Sequence, residues 1–228
     1  MSLTTRAAAL LVVSVLCACT VPHPAAPPPA KGAGALPPSQ LIAAVQADVA
    51  RIDHSKDPGE RTRLLAAASA NARQCVAQAP DNGACHYAWA QVLGLSARER
   101  PVQAASLLKD MLASLKQAEV LDPAYEHSGP ARLTATVLLR APGWPLGPGD
   151  ADAALVAARR AVDRDPAYPP NLIALAQAQA KTDAGAKARA TYEKARLAVA
   201  AWNAAAPDAA ADRAEWQHEV ERGLHDLP

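Results

Sequence analysis

Small and apolar residues recur along the chain at helical spacing, and prolines punctuate them at nearly even intervals. Three trios stand out: Ala68, Ala72 and Cys75; Met111, Leu115 and Ala118; Ala154, Ala158 and Ala161. Offsets of four and then three residues put each trio on one face of a helix. A proline follows each trio five residues later, at Pro80, Pro123 and Pro166, and Pro207 follows Ala195 at a longer interval. These prolines lie 43, 43 and 41 residues apart. A proline just beyond a helix stops it, because it cannot continue the hydrogen-bond ladder. The pattern predicts helices over 39–53, 59–79, 82–99, 101–121, 126–141, 150–165, 169–182, 184–204 and 208–226. Asp150 is placed to cap the sixth, with Asp152 at its positive end. Each hairpin of two helices carries an apolar face that it cannot bury alone, so stacked neighbours complete the core and leave a curved surface. The expectation is an all-α solenoid of antiparallel helix hairpins, closed by a last helix with Trp216 and Val220 one turn apart.

The trios resemble the tetratricopeptide repeat, which has small or aromatic residues at these offsets and then a proline. The fourth unit fits the family's usual length of about 34 residues, with Leu172, Leu175 and Ala176 in its first helix and Ala188, Tyr192 and Ala195 in its second. Leu93-Gly94 matches the family's Leu-Gly pair. The two middle units depart from it by extra residues near 96–106 and 140–149.

Composition adds to this picture at the N-terminus. Arg6 precedes a run of ten mostly apolar residues, Ala7 to Leu16. That is too short to cross a bilayer, which takes about 20 residues, but it suits a signal peptide. The run ends Leu16-Cys17-Ala18-Cys19, which resembles the bacterial lipobox, with Cys17 as a departure from it. The resemblance implies a signal peptide over 1–18 and lipidation of Cys19; the alternative is ordinary cleavage to a soluble periplasmic protein. Several acyl chains, at about 0.8 kcal/mol per buried CH₂, make a stable anchor. Thr20, in place of Asp, implies sorting to the outer membrane, facing the periplasm. Residues 19–38 are rich in Pro and Ala and read as a tether, leaving 39–228 as the helical domain.

The 23 Lys and Arg nearly balance the 22 Asp and Glu, so nucleic acid is not an expected partner. Cys75 and Cys85 each lie five residues from Pro80, on opposite sides of one turn, where helices packed about 8–10 Å apart bring them within disulfide reach. The alternative is two reduced core residues. His218 and His225 are two turns apart, too far for one ion, and no metal site, cofactor or catalytic residue is expected. No H-E-x-x-H, G-x-x-x-x-G-K or G-x-S-x-G segment is present.

His86, Tyr87, Trp89, Tyr125, His127 and Arg132 fall on the first helices of units two and three, which line the concave side of such arrays. They form a candidate surface for a peptide or a small organic anion; the alternative is packing between helices with solvated polar tips. Trp144, in the loop Pro142-Gly143-Trp144-Pro145-Leu146-Gly147-Pro148-Gly149, is either a lid over the core or a contact for a ligand or partner.

Three segments carry a closer likeness. They are Cys85-His86-Tyr87-Ala88-Trp89-Ala90, Tyr125-Glu126-His127-Ser128-Gly129-Pro130-Ala131-Arg132 and the Pro-rich loop. With Tyr168-Pro169-Pro170-Asn171 and the lipobox, the chain resembles the TatT family of periplasmic lipoproteins over about 60–205. The tethered helical solenoid is expected to be a non-catalytic, membrane-anchored scaffold for protein–protein interaction in the envelope. The resemblance to TatT implies the alternative: an accessory subunit of a TRAP-type transporter (tripartite ATP-independent periplasmic). Such a subunit would be a homo-trimer beside a solute-binding protein and would handle a small organic ligand.

Overall fold

A computed structural model describes residues 36–182, 184–202 and 209–227. The expected signal peptide, Cys19, almost all of the tether and the break at 206–208 lie outside the described residues. Nine α-helices follow one another among the described residues: α1 Pro38–His54, α2 Pro58–Gln78, α3 Gly83–Glu99, α4 Ala104–Leu121, α5 Tyr125–Arg140, α6 Ala151–Arg164, α7 Pro169–Lys181, α8 Gly185–Ala201 and α9 Ala209–His225. No strand occurs among them.

Local chemistry sets the helix ends. Proline occupies the first helical position of α1, α2 and α7, where no N–H is needed. Asn82 caps α3 by accepting from Ala84 N and Cys85 N. Asp150 caps α6, accepting from Ala153 N at 2.9 Å, as its position predicts. Two starts differ from expectation. Residues Pro101–Gln103 form a short 3₁₀ helix before α4, which has no side-chain cap at Gln103. α5 does not open as a right-handed helix at all, as described below.

The trios seen in the sequence are the core. Ala68, Ala72, Cys75, Leu115, Ala118, Ala154, Ala158 and Ala161 are all fully buried, and Met111 is nearly so. In the last hairpin Ala188, Tyr192 and Ala195 hold the same positions and are buried too. Alanine lets the backbones approach. A Cβ at Gly94 would sit 3.0 Å from Met111 Sδ, so glycine permits the close α3–α4 packing.

Helices pair as α1/α2, α3/α4, α5/α6 and α7/α8, with α9 covering the end. The odd-numbered helices also touch one another in series, α1 to α3 to α5 to α7 to α9. Among the described residues no two even-numbered helices make backbone contact. One row is closed up and the other splayed, so the stack bends with the odd-numbered row inside. Long side chains bridge the splayed row: Arg160 and Arg164 of α6 both reach Glu119 of α4, at 2.9 and 2.8 Å. Cys75 and Cys85, fully buried, form a disulfide between the end of α2 and the start of α3, with Cα atoms 5.4 Å apart.

Candidate functional site

The start of α5 departs furthest from regular helix. Glu126, His127 and Ser128 have φ of 50°, 55° and 62°, a left-handed turn of three non-glycine residues. Each such residue costs about 1–2 kcal/mol, since Cβ crowds the following carbonyl. The right-handed helix begins only at Gly129-Pro130, whose proline tolerates the missing N–H there. A Cβ at Gly129 would lie 2.8 Å from the Tyr87 hydroxyl, so only glycine lets α3 sit against this turn.

Two side chains brace the turn. Asn171, fully buried in the first turn of α7, donates from Nδ2 to the carbonyls of His127, Ala161 and Asp165 at 3.0–3.1 Å. Its Oδ1 accepts from Arg132 Nη1 at 3.0 Å. The same Nη1 donates to the carbonyls of Glu126 and His127 at 3.1 and 3.0 Å. Four carbonyls of the turn and of the α6 end, those of Glu126, His127, Ala161 and Asp165, accept these bonds, and the Ala161 carbonyl also accepts from Asp165 N at 3.1 Å.

Aromatic rings close around this brace. The His127 ring stacks on Tyr168 at 4.2 Å between centroids, and the Arg132 guanidinium lies over the same Tyr168 ring, 5.0 Å from its centroid. Trp202 meets His127 and Tyr168 edge-on at 5.8 and 5.3 Å, and Trp216 meets Tyr168 and Trp202 at 5.7 and 5.8 Å. These rings tie α9 to the third and fourth hairpins. Tyr125 touches Tyr87 edge-on at 5.3 Å, and Gln46 of α1 donates to the Tyr125 hydroxyl and to the Glu126 carboxylate. Burial pushes the Tyr87 phenol up to about 12, against the pull of Arg132, so its hydroxyl stays a donor. Burial raises Tyr168 and Tyr125 in the same direction.

Two clefts flank the turn. The outer one, about 510 Å³, is lined by Ala124, Glu126, His127, Ser128, Arg164 and Asp165. In it His127 Nδ1 bonds Asp165 Oδ2 at 2.7 Å. The neighbouring Ser128 hydroxyl is buried and bonds to no group among the described residues, so serine and histidine are not linked there as a relay would need. The inner cleft, about 200 Å³, is built wholly by odd-numbered helices: Tyr87 of α3, Arg132 and Arg140 of α5, Gln177 of α7, Glu215 and Glu219 of α9, with Leu133, Ile173 and Trp216 as its apolar wall. Among the described residues no cluster of His, Cys, Asp and Glu is fit to hold a metal ion.

Compared with known proteins, the chain matches no family model and no curated sequence.

The structure divides the predicted surface residues. Tyr87, Tyr125, His127 and Arg132 gather at the turn. His86 does not join them; its ring nitrogen lies 2.7 Å from the Pro80 carbonyl, back at the first proline break. Trp89 packs between the first two hairpins, with Arg73 of α2 over its ring at 5.1 Å. Trp144 is 90% exposed and covers nothing, which removes the lid reading. Its loop is held by Gly149 N donating to Pro142 O and by Leu146 N and Gly147 N donating to Gly143 O, so the ring is presented to solvent on an ordered loop. Sequence reasoning missed the roles of Asn171, Asp165, Tyr168 and Trp202. The Tyr-Pro-Pro-Asn segment was the available signal, but nothing local says that Asn171 reaches back 44 residues to His127.

Proposed function

We infer that the protein is a lipid-anchored, non-catalytic scaffold of the bacterial cell envelope, and that it holds a partner along its inner row of helices. The supporting observation is the packing asymmetry: odd-numbered helices form a continuous row with a polar-walled groove, while the even-numbered row is splayed and bridged by ion pairs. The strained turn at 126–128 sits on that row, fixed by buried hydrogen bonds, and its arginine lines the groove. A solenoid does not by itself choose a function, so the reading leans on the groove and on the lipobox at Cys19.

The test is crosslinked co-purification from intact envelopes, with a photo-crosslinking residue at Thr136 or Glu215 on the inner row and at Lys116 on the outer one. The scaffold reading expects a discrete envelope protein captured from the inner positions alone. Capture from Lys116 only, or from all positions alike, refutes it. Anchoring is tested by acyl labelling, which Cys19→Ser should abolish together with membrane fractionation.

The groove's volume of about 200 Å³ favours one second reading, an accessory subunit of a TRAP-type transporter that handles a small organic solute. That reading expects the captured partner to be a solute-binding protein and light scattering to give a trimer; a monomer with a different partner rejects it.

A further inference from the structure

The geometry points to a carboxylate-binding site in the inner groove, with the Arg132 guanidinium and the Tyr87 hydroxyl as donors and Glu215 restricting the ligand to monocarboxylates and favouring those whose far end carries a cationic group. It rests on the partner-binding reading above and names the chemistry of that groove.

The arginine is the central observation. Its Nη1 is bonded to two backbone carbonyls and the Asn171 amide oxygen, and its plane rests on Tyr168. All of these neighbours are neutral. Among the described residues no carboxylate pairs with Arg132, although the Glu126 side chain next to it is bonded to Gln46 instead. A partly buried cation held only by neutral acceptors leaves an anion favoured beside it. Nor do Nε and Nη2 donate to any protein acceptor among the described residues. Those two nitrogens form the parallel edge that grips a carboxylate with two bonds. Because the other nitrogen and the ring contact already fix the plane, a ligand need not order the side chain on binding.

The rest of the groove sets the ligand. Tyr87, from α3, lines the same cleft and supplies a neutral donor. Glu219 is already satisfied: it accepts from Gln177 at 2.8 Å and faces Arg140 at 3.5 Å and Arg222 at 3.9 Å. Glu215 has no such partner among the described residues and lines the cleft beside Trp216. A second carboxylate on the ligand would meet it unfavourably, and an ammonium would be attracted. Ile173 and Leu133 line the same cleft and suit a short apolar spacer. The space, about 200 Å³, admits a small amino acid or the last residue of a peptide chain.

Calorimetric titration of the full chain in detergent tests this with 4-aminobutyrate, butyrate, succinate and butylamine. The expected order is 4-aminobutyrate first, then butyrate, with succinate weak and butylamine not bound. A tetrapeptide with a free C-terminus, against the same peptide amidated, separates the two sources of carboxylate. Tight binding of the free peptide assigns the site to a partner's C-terminus, and binding of the small acids alone assigns it to a solute. Arg132→Lys should weaken the carboxylates about 10- to 100-fold, and Tyr87→Phe about 2- to 10-fold. Arg132 also braces the turn, so the exposed Glu215→Gln is the independent variant: it should raise succinate affinity several-fold and leave butyrate unchanged. An amidated peptide that binds as tightly as the free one, or no heat from any carboxylate, overturns the site; an unchanged succinate ranking in Glu215→Gln overturns the restriction. Failure here with a partner still crosslinked at Thr136 sinks the carboxylate chemistry alone. Carboxylate binding with no crosslinked partner sinks the scaffold reading alone.

Discussion

Replacing Asn171 by alanine should be among the most damaging changes in the chain, and its cost can be worked from the contacts. Three carbonyls, those of His127, Ala161 and Asp165, lose their shared donor, and Arg132 loses one acceptor. The amide has two hydrogens for those three oxygens, so two full bonds are at stake on the donor side. His127 O keeps its bond from Arg132 Nη1 and Ala161 O its bond from Asp165 N, so the Asp165 carbonyl is the one left without a partner among the described residues, at about 1–3 kcal/mol, while a shared bond lost costs about 0.5–1.5 kcal/mol. The fully buried site cannot admit much water to replace them. A loss of about 2–4 kcal/mol is expected. For a chain of this length 1 kcal/mol moves Tm by about 2–4 °C, so Tm should fall by about 4–16 °C. The turn at 126–128 stores about 3–6 kcal/mol of backbone strain and loses its brace in the variant, so it should relax toward right-handed helix. Urea unfolding followed by circular dichroism gives the energy, and amide exchange at 126–128 reports the turn. Asn171→Asp keeps the bond to Arg132 but faces a carboxylate to the three carbonyls, so it should also be unstable. A loss under about 1 kcal/mol in Asn171→Ala, with unchanged exchange at the turn, refutes the claim that this side chain holds the left-handed segment.

Reduction of the Cys75–Cys85 bond, or Cys75→Ala with Cys85→Ala, should cost about 2–3 kcal/mol for a closed loop of this length, read as a lower urea midpoint in reductant than without it. Burial pushes the Glu119 carboxyl up, but the hydrogen bonds from Arg160 and Arg164 outweigh it and hold the group below its ordinary value. Its contribution is therefore present above the unfolded value of about 4.3 and lost as pH falls through the lower folded value, and Glu119→Gln should flatten the acid limb of a stability-versus-pH curve. Trp144→Ala should leave stability within about 0.5 kcal/mol, because the ring covers nothing; a larger loss in thermal melts would restore it as part of the core.

The fold was legible because it is written in local terms. Small residues four and three apart, then a proline, need only the helical period and a stop signal, and each of those trios is buried. Helix ends fell within about three residues of expectation for the same reason. The disulfide pair followed from symmetry about one proline. A regular helix was expected from 126, and no residue there is glycine, so nothing local announces three left-handed residues. Trp144 had two readings that composition could not separate, because loop direction is set by the Pro142, Gly143 and Gly149 backbone bonds and not by the ring.

The sequence by itself determined that this chain is a stack of helix hairpins and where each one stops, since both depend on contacts a few residues apart. Only the tertiary structure decided which polar groups meet. Arg132 and Asn171 are 39 residues apart and His127 and Tyr168 are 41 apart, and they meet because the repeat brings the start of one hairpin against the start of the next. The strain at 126–128 is tolerable only through those distant bonds. A local pattern cannot specify a conformation that local energetics oppose, so the candidate site became visible only once the helices were stacked.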